Sequence, residues 1–135
     1  MGDLSKNFSI KEFNCKCGKC EMPKEVLANV ELVVIQLQAI RDHVGASVSI
    51  NSAYRCESHN KASKGSKRSQ HLLGKAADIT IKGYNPDSVV CILEDMLTNP
   101  YLKGVDLGAI GRYNTFTHID IRDSKQLIMW DNRNK

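Results

Sequence analysis

The sequence predicts an α+β domain, with an antiparallel sheet of about four to five strands and helices packed on one face. Two segments carry apolar residues at helical spacing. Several short segments alternate apolar and polar residues at strand spacing. Turn-forming residues separate them. At 135 residues, with 41% hydrophobic and 25% charged content, the chain fits a single globular domain over 1–135.

The elements follow in order. FSIKEF, Phe8 to Phe13, reads as a short helical turn with Ser9 as N-cap and Glu12 closing a capping box. Pro23 opens a helix to about Val44, with Leu27, Val30, Val34, Leu37 and Ile40 on one face and Gly45 at its end. Ser47 to Arg55 alternates and reads as a strand, and Ala76 to Gly83 as a second. Between them, Cys56 to Gln70 is polar, basic and glycine-containing, a loop with room for one helical turn. Asn85 to Asn99 is a helix with Val89, Leu93, Met96 and Leu97 on its apolar side. Val105 to Tyr113 and Thr115 to Arg122 are two further strands, and Leu127 to Trp130 can add an edge strand, with Met129 and Trp130 packed on the sheet.

Composition narrows the function classes. A net charge of +4 suits an anionic partner such as cell wall, membrane surface or nucleic acid. Aromatic content is only 6% and is not interleaved with Lys and Arg, which argues against a stacking reader of nucleic acid. The longest apolar run, Val33-Val34-Ile35, is too short to span a bilayer. MGDLSKNFSI has no apolar signal core. The expectation is a monomer made in the cytoplasm without a signal peptide, whose action outside needs another route of release.

Chemistry concentrates in SQHLLGKAADI. His71 and Asp78 stand seven positions apart, with the small residues Gly74, Ala76 and Ala77 between them letting backbone approach a metal closely. Imidazole and carboxylate both suit zinc, and a catalytic zinc takes three protein ligands and an open position. Alone, such a pair is more often two unrelated surface residues. His118 adds a third donor. In THIDIR, strand period puts Phe116, His118 and Asp120 on one face and Thr117, Ile119 and Ile121 on the other. If the isoleucines face the core, His118 and Asp120 point to the open face of the sheet. Arg55, at a strand end, suits a substrate carboxylate or a developing oxyanion, against the plain reading of a solvated arginine.

SAYRCESHN, SQHLLGKAADI and FTHIDIR together resemble the zinc D-Ala-D-Ala carboxypeptidase family, which includes wall-cutting phage endolysins. The family pattern reads approximately S-G-Y-R, then S-x-H-x-x-G-x-A-x-D, then a late strand histidine. This chain has Ser52 to Arg55, then Ser69, His71, Gly74, Ala76 and Asp78, then His118. The hedgehog signalling domain resembles the same motif and fold, so the resemblance implies the zinc cage more firmly than peptidase activity.

The resemblance implies His71, Asp78 and His118 as ligands of one catalytic zinc. It implies a carboxylate-gripping or transition-state role for Arg55, and Ser69 is a further candidate for substrate binding. The resemblance further implies hydrolysis of amide bonds in peptidoglycan stem peptides, in a phage or prophage lytic setting. One position departs: many relatives carry a carboxylate three residues before the last histidine, and here that residue is Thr115. Asp120 is then the candidate general base or partner of His118. His59 is a candidate for proton transfer, against the plainer reading of an exposed loop histidine. The first rival to an enzyme is a non-catalytic zinc-stabilised wall-binding or phage structural module, and the second is a basic DNA- or membrane-binding protein with incidental histidines.

Two features stay open. NCKCGKC places Cys15, Cys17 and Cys20 together in a chain of five cysteines. A turn with reduced thiols is the first reading and a disulfide the second. The third is a second, structural zinc with Cys56, Cys91 or His43 as fourth ligand. KASKGSKR, with Lys61, Lys64, Lys67 and Arg68, is a solvated loop or an attractor of wall polyanions.

Overall fold

The computed structural model describes residues 2–63, 65, 69–99 and 105–133. Lys64, Lys67 and Arg68 of the basic loop lie outside the described residues. A short 3-10 turn, Ile10–Phe13, precedes helix α1, Lys24–Val44. Strand β1 (Val48–Ser52) leads to α2 (Glu57–Ala62), a second 3-10 turn (Gln70–Leu73) and β2 (Ala76–Ile81). Helix α3 (Pro86–Thr98) is followed by β3 (Ala109–Arg112), β4 (Thr117–Asp120) and β5 (Ile128–Asp131).

Local chemistry sets the ends of these elements. The backbone N–H of Ser9 donates to Glu12 Oε2 at 2.7 Å, the return half of a capping box. Gly45 ends α1 in the left-handed region at φ 66°, and its N–H returns to Arg41 O. Asn85 Oδ1 caps α3 by accepting the Ser88 N–H at 2.8 Å, one position before Pro86.

One five-stranded sheet runs in the order β1-β2-β4-β3-β5. The first three pairings are antiparallel, whereas β5 joins β3 in parallel, so the expectation of an all-antiparallel sheet is corrected at this edge. The segment after β4 carries the chain back across the end of the sheet before β5 begins, which makes the final pairing parallel. Apolar side chains of α1 (Val30, Val33, Val34, Leu37, Ile40) and α3 (Val89, Val90, Leu93, Met96) pack with Ala77, Ile79 and Ile81 of β2, Ile110 of β3 and Ile119 of β4. This burial of aliphatic surface is the main drive to fold, at roughly 25 cal/mol per Å². Both long helices therefore cover one face, as α+β architecture requires. None of the described helices is long and apolar enough to cross a membrane.

The opposite face carries a row of cross-strand partners. Ser52 of β1 pairs with Asp78 of β2, Asp78 with His118 of β4, His118 with Gly111 of β3, and Gly111 with Trp130 of β5. A register shift between Ile50 and Ser52 brings Ser52 into this row. A bulge of this kind re-aims a side chain at the cost of one ladder position.

Candidate metal centre

Strand alternation delivers two of the donors. With Ile79 and Ile119 turned to the core, Asp78 and His118 must lie on the other face as direct cross-strand neighbours. His71 arrives from the 3-10 turn before β2. Ser69 Oγ accepts the His71 N–H at 3.2 Å, and Gly74 ends the turn at φ 73°. Asp78 Oδ1 then lies 3.1 Å from His71 Nε2 and 3.0 Å from His118 Nδ1. The two imidazole rings are 5.1 Å apart, edge to face.

The outward nitrogens fix the tautomers. His71 Nδ1 is 2.6 Å from the carbonyl of Ala53, which can only accept, so Nδ1–H donates. His118 Nε2 is 2.8 Å from Asp120 Oδ2, so Nε2–H donates to a carboxylate. In the neutral rings, His71 Nε2 and His118 Nδ1 then carry lone pairs, and both aim at Asp78 Oδ1. Three electron-rich atoms converging in a buried place call for a shared cation, either a proton or a metal ion. The donor set of two imidazoles and a carboxylate fits zinc. The 3.0 and 3.1 Å separations approach the edge of about 3.3 Å expected for a tetrahedron with bonds near 2.0 Å. Both histidines also have the oriented outer partner that metal-bound imidazoles ordinarily keep. His71, Asp78 and His118 can thus hold a metal ion.

The electrostatics agree. Burial disfavours the charge on Asp78, but hydrogen bonds and charge from His118 and His71 hold its carboxyl well below the usual range. Burial also pushes His118 toward its neutral form, and bonds to Asp120 and Asp78 outweigh this and raise its pKa. The two shifts are reciprocal, since the imidazoles favour the ionised carboxyl and the carboxylates favour the charged imidazole.

A cavity of about 590 Å³ opens over these atoms, lined in part by Arg55, Ser69, His71, Asp78, His118 and Trp130. Tyr113 and Phe116 line it as well, stacked at 4.4 Å between ring centroids. Among the described residues, Asp78 is the one carboxylate that lines the cavity. Arg55 Nη2 pairs with Asp78 Oδ2 at 3.1 Å, and its other nitrogens donate to Ser52 Oγ and Asn60 Oδ1. Ser69 lines the cavity while its oxygen caps the His71 turn.

Several expectations change here. The imidazole and the carboxylate expected on the open face part company, since His118 lines the cavity and Asp120 does not. Asp120 is fully buried, and it accepts from His118 Nε2 and, through both oxygens, from the Arg122 guanidinium. It is not among the residues lining the cavity. Burial opposes its ionisation, yet the bonds from His118 and Arg122 lower its pKa to about 2. His59 sits on α2 and is also not among the lining residues. Gly74 meets α1 and not the site, since a Cβ there would lie 2.7 Å from Val26 Cγ1. Ala77 faces the core, whereas Ala76 pairs with Asp120 on the site face. Met129 is 40% exposed, while the Trp130 ring lies 4.9 Å from the His118 ring.

Sequence reasoning missed Arg122 and Gly111. Arg122 lies two positions beyond Asp120, a same-face spacing that was available as a signal. Gly111 leaves space for the Trp130 ring, which a Cβ would meet at 2.5 Å. That requirement was hidden because it depends on which strand pairs with β3.

Comparison with known proteins follows the same lines. No curated protein matches the chain. The model of the peptidase M15 family matches residues 6–120, which include all three candidate ligands. The chain therefore belongs to the peptidase M15 family, the zinc D-Ala-D-Ala carboxypeptidase family.

Proposed function

We propose that this chain is a zinc metallopeptidase that hydrolyses amide bonds in peptidoglycan stem peptides, as a carboxypeptidase or endopeptidase. The observation that carries the reading is the convergence of His71 Nε2, Asp78 Oδ1 and His118 Nδ1 in the lining of a cavity of about 590 Å³. Family membership supports the reaction class. A zinc ion held there supplies a Lewis acid and a water acidic enough to act as nucleophile at neutral pH.

The residues divide the remaining work. Arg55 and Arg122 both line the cavity and bring guanidinium groups to it, which suits the carboxylates of stem peptides. Arg55 also holds Asp78 Oδ2, so the carboxylate presents Oδ1 to the imidazoles. Asp120 orients His118 and keeps its Nε2 protonated. The stacked Tyr113 and Phe116 offer an apolar wall to the peptide backbone. In this reading the protein acts as a monomer on the wall after release from the cytoplasm, in a phage or prophage lytic setting. Its net charge of +4 assists wall binding.

A second reading has a specific observation behind it. Thr115 stands exposed where relatives carry an acid, and the cavity offers no carboxylate besides Asp78 among the described residues. A non-catalytic zinc-stabilised module fits that arrangement. Digestion of purified peptidoglycan by the zinc-loaded protein separates the two, with mass spectrometry of the fragments. New free amines that vanish with chelator and return with zinc mark the peptidase. Intact muropeptides after incubation with the fully zinc-loaded protein mark the module.

A further inference from the structure

We propose that Cys15, Cys17, Cys20 and Cys56 form a second metal site, a closed tetrathiolate that takes zinc in a structural role. It stands apart from the His71, Asp78 and His118 centre and does not depend on the peptidase reading. One sulfur from each of the four cysteines lies within 4.8 Å of the other three. The individual approaches are 3.6 Å for Cys15 to Cys56, 3.4 Å for Cys17 to Cys20, and 3.8 Å for Cys17 to Cys56. A tetrahedral zinc with sulfur at about 2.3 Å has edges of about 3.8 Å, close to the three separations given, and the remaining pairs lie within 4.8 Å. Four protein ligands close the coordination sphere, which is the structural type.

The backbone is arranged to suit thiolates. The Lys19 N–H points at Cys17 Sγ at 3.4 Å, and the Cys56 N–H at Cys15 Sγ at 3.3 Å. Gly18, between the two ligands of the C-G-K-C turn, takes φ 69°, a conformation that glycine adopts without strain. Lys16 and Lys19 alternate with the ligands and offset the net negative charge of a zinc tetrathiolate. The fourth partner comes from a distant part of the chain. Of the three candidates, Cys56 is at the cluster, while Cys91 lies exposed on α3 and His43 in the last turn of α1.

The position suggests what the site does. Cys56 follows Arg55 directly, and Tyr54 N–H donates to Phe13 O beside the cysteine turn. A metal joining residues 15–20 to residue 56 therefore clamps the N-terminal segment onto Ala53 to Arg55. That stretch supplies the carbonyl that holds His71 and the guanidinium that holds Asp78.

The test uses the full chain, purified under reducing conditions and loaded with zinc or with cobalt. Metal analysis should find about two zinc ions per wild-type chain, and a thiol-blocking mercurial should release one of them. Cobalt loading should give a sulfur-to-cobalt charge-transfer band in wild type and in His118→Ala, and none in Cys56→Ser. Cys91→Ser should retain both zinc ions. The mercurial release needs no variant and so decides the matter even if Cys56→Ser fails to fold. A single zinc per wild-type chain that mercurial does not release, no thiolate band with cobalt, or a Cys15–Cys56 or Cys17–Cys20 disulfide in the metal-loaded protein would each overturn the proposal.

Discussion

Arg55 Nη2 lies 3.1 Å from Asp78 Oδ2, on the side of the carboxylate away from the two histidines. The contact divides the labour of the two oxygens. Oδ2 is held by the guanidinium, and Oδ1 faces His71 and His118. Arg55 is itself anchored by Ser52 Oγ at 3.1 Å and Asn60 Oδ1 at 3.2 Å, so its plane is fixed before it meets Asp78. A flexible cation could neutralise Asp78, but it could not aim it.

Arg55→Lys tests that difference. Lysine keeps the charge but lacks the planar fork that reaches Ser52, Asn60 and Asp78 together. Zinc affinity at the histidine centre should fall about 10–100-fold, in the range seen when outer partners of metal ligands are changed. A competitive chelator titration measures it. Unchanged affinity would show that Arg55 serves only as a counter-charge or meets substrate alone.

Gly111→Ala should disturb the other side of His118. A Cβ at Gly111 would lie 2.5 to 2.7 Å from atoms of the Trp130 indole, so the ring must move off the sheet. The expected cost is about 1–3 kcal/mol, as for other overpacked sites. Trp130 is the chain's one tryptophan, so its fluorescence reports the displacement directly. The emission should shift toward that of exposed indole, with a lower urea midpoint. A variant with unchanged emission and stability would mean that the ring does not rest on Gly111 in solution.

Gly74→Ala should be worse tolerated, for two independent reasons. At φ 73° an L-residue is strained by roughly 1–2 kcal/mol. The added Cβ would also meet Val26 Cγ1 at 2.7 Å and Val26 O at 2.8 Å, a collision between the 3-10 turn and α1. Overpacking adds about 1–3 kcal/mol. Because the turn carries His71, thermal stability and zinc affinity should fall together. Loss of one without the other would separate the fold of the turn from its role at the centre.

Alternation made the central pair of donors legible. Apolar residues at 77, 79 and 81 and at 119 assign Asp78 and His118 to a common face without knowledge of the partner strand. The apolar stripe of α1 likewise announced its buried side. What alternation does not carry is register. Ser52 reaches Asp78 only through a bulge, and Trp130 reaches His118 only through a parallel pairing that closes after the whole sheet is built. Cys56 joins Cys15 across 41 positions for the same reason, since loop geometry and not local spacing brings them together. Asp120 shows the limit from the other side. Its face was readable, but its burial was not, because the Arg122 guanidinium that closes on it arrives from beyond the strand.

Asp120→Asn decides what that buried carboxylate does. As a general base, Asp120 would need to reach solvent or substrate and to accept a proton near neutral pH. It is fully buried, bonded through both oxygens, and held ionised down to about 2, each of which opposes that role. As a positioning residue it has only to hold the Nε2–H of His118, so that Nδ1 faces Asp78. Asparagine keeps the shape and an acceptor oxygen but removes the charge that Arg122 and His118 share. Zinc affinity should therefore fall about 10–100-fold. At saturating zinc, peptidoglycan cleavage should stay within about a factor of ten of wild type, far short of the 10²–10⁴-fold that loss of a general base costs. Measuring cleavage across a zinc titration reads both quantities in one experiment. Unchanged zinc affinity with cleavage lost at every zinc concentration would return Asp120 to the role of base.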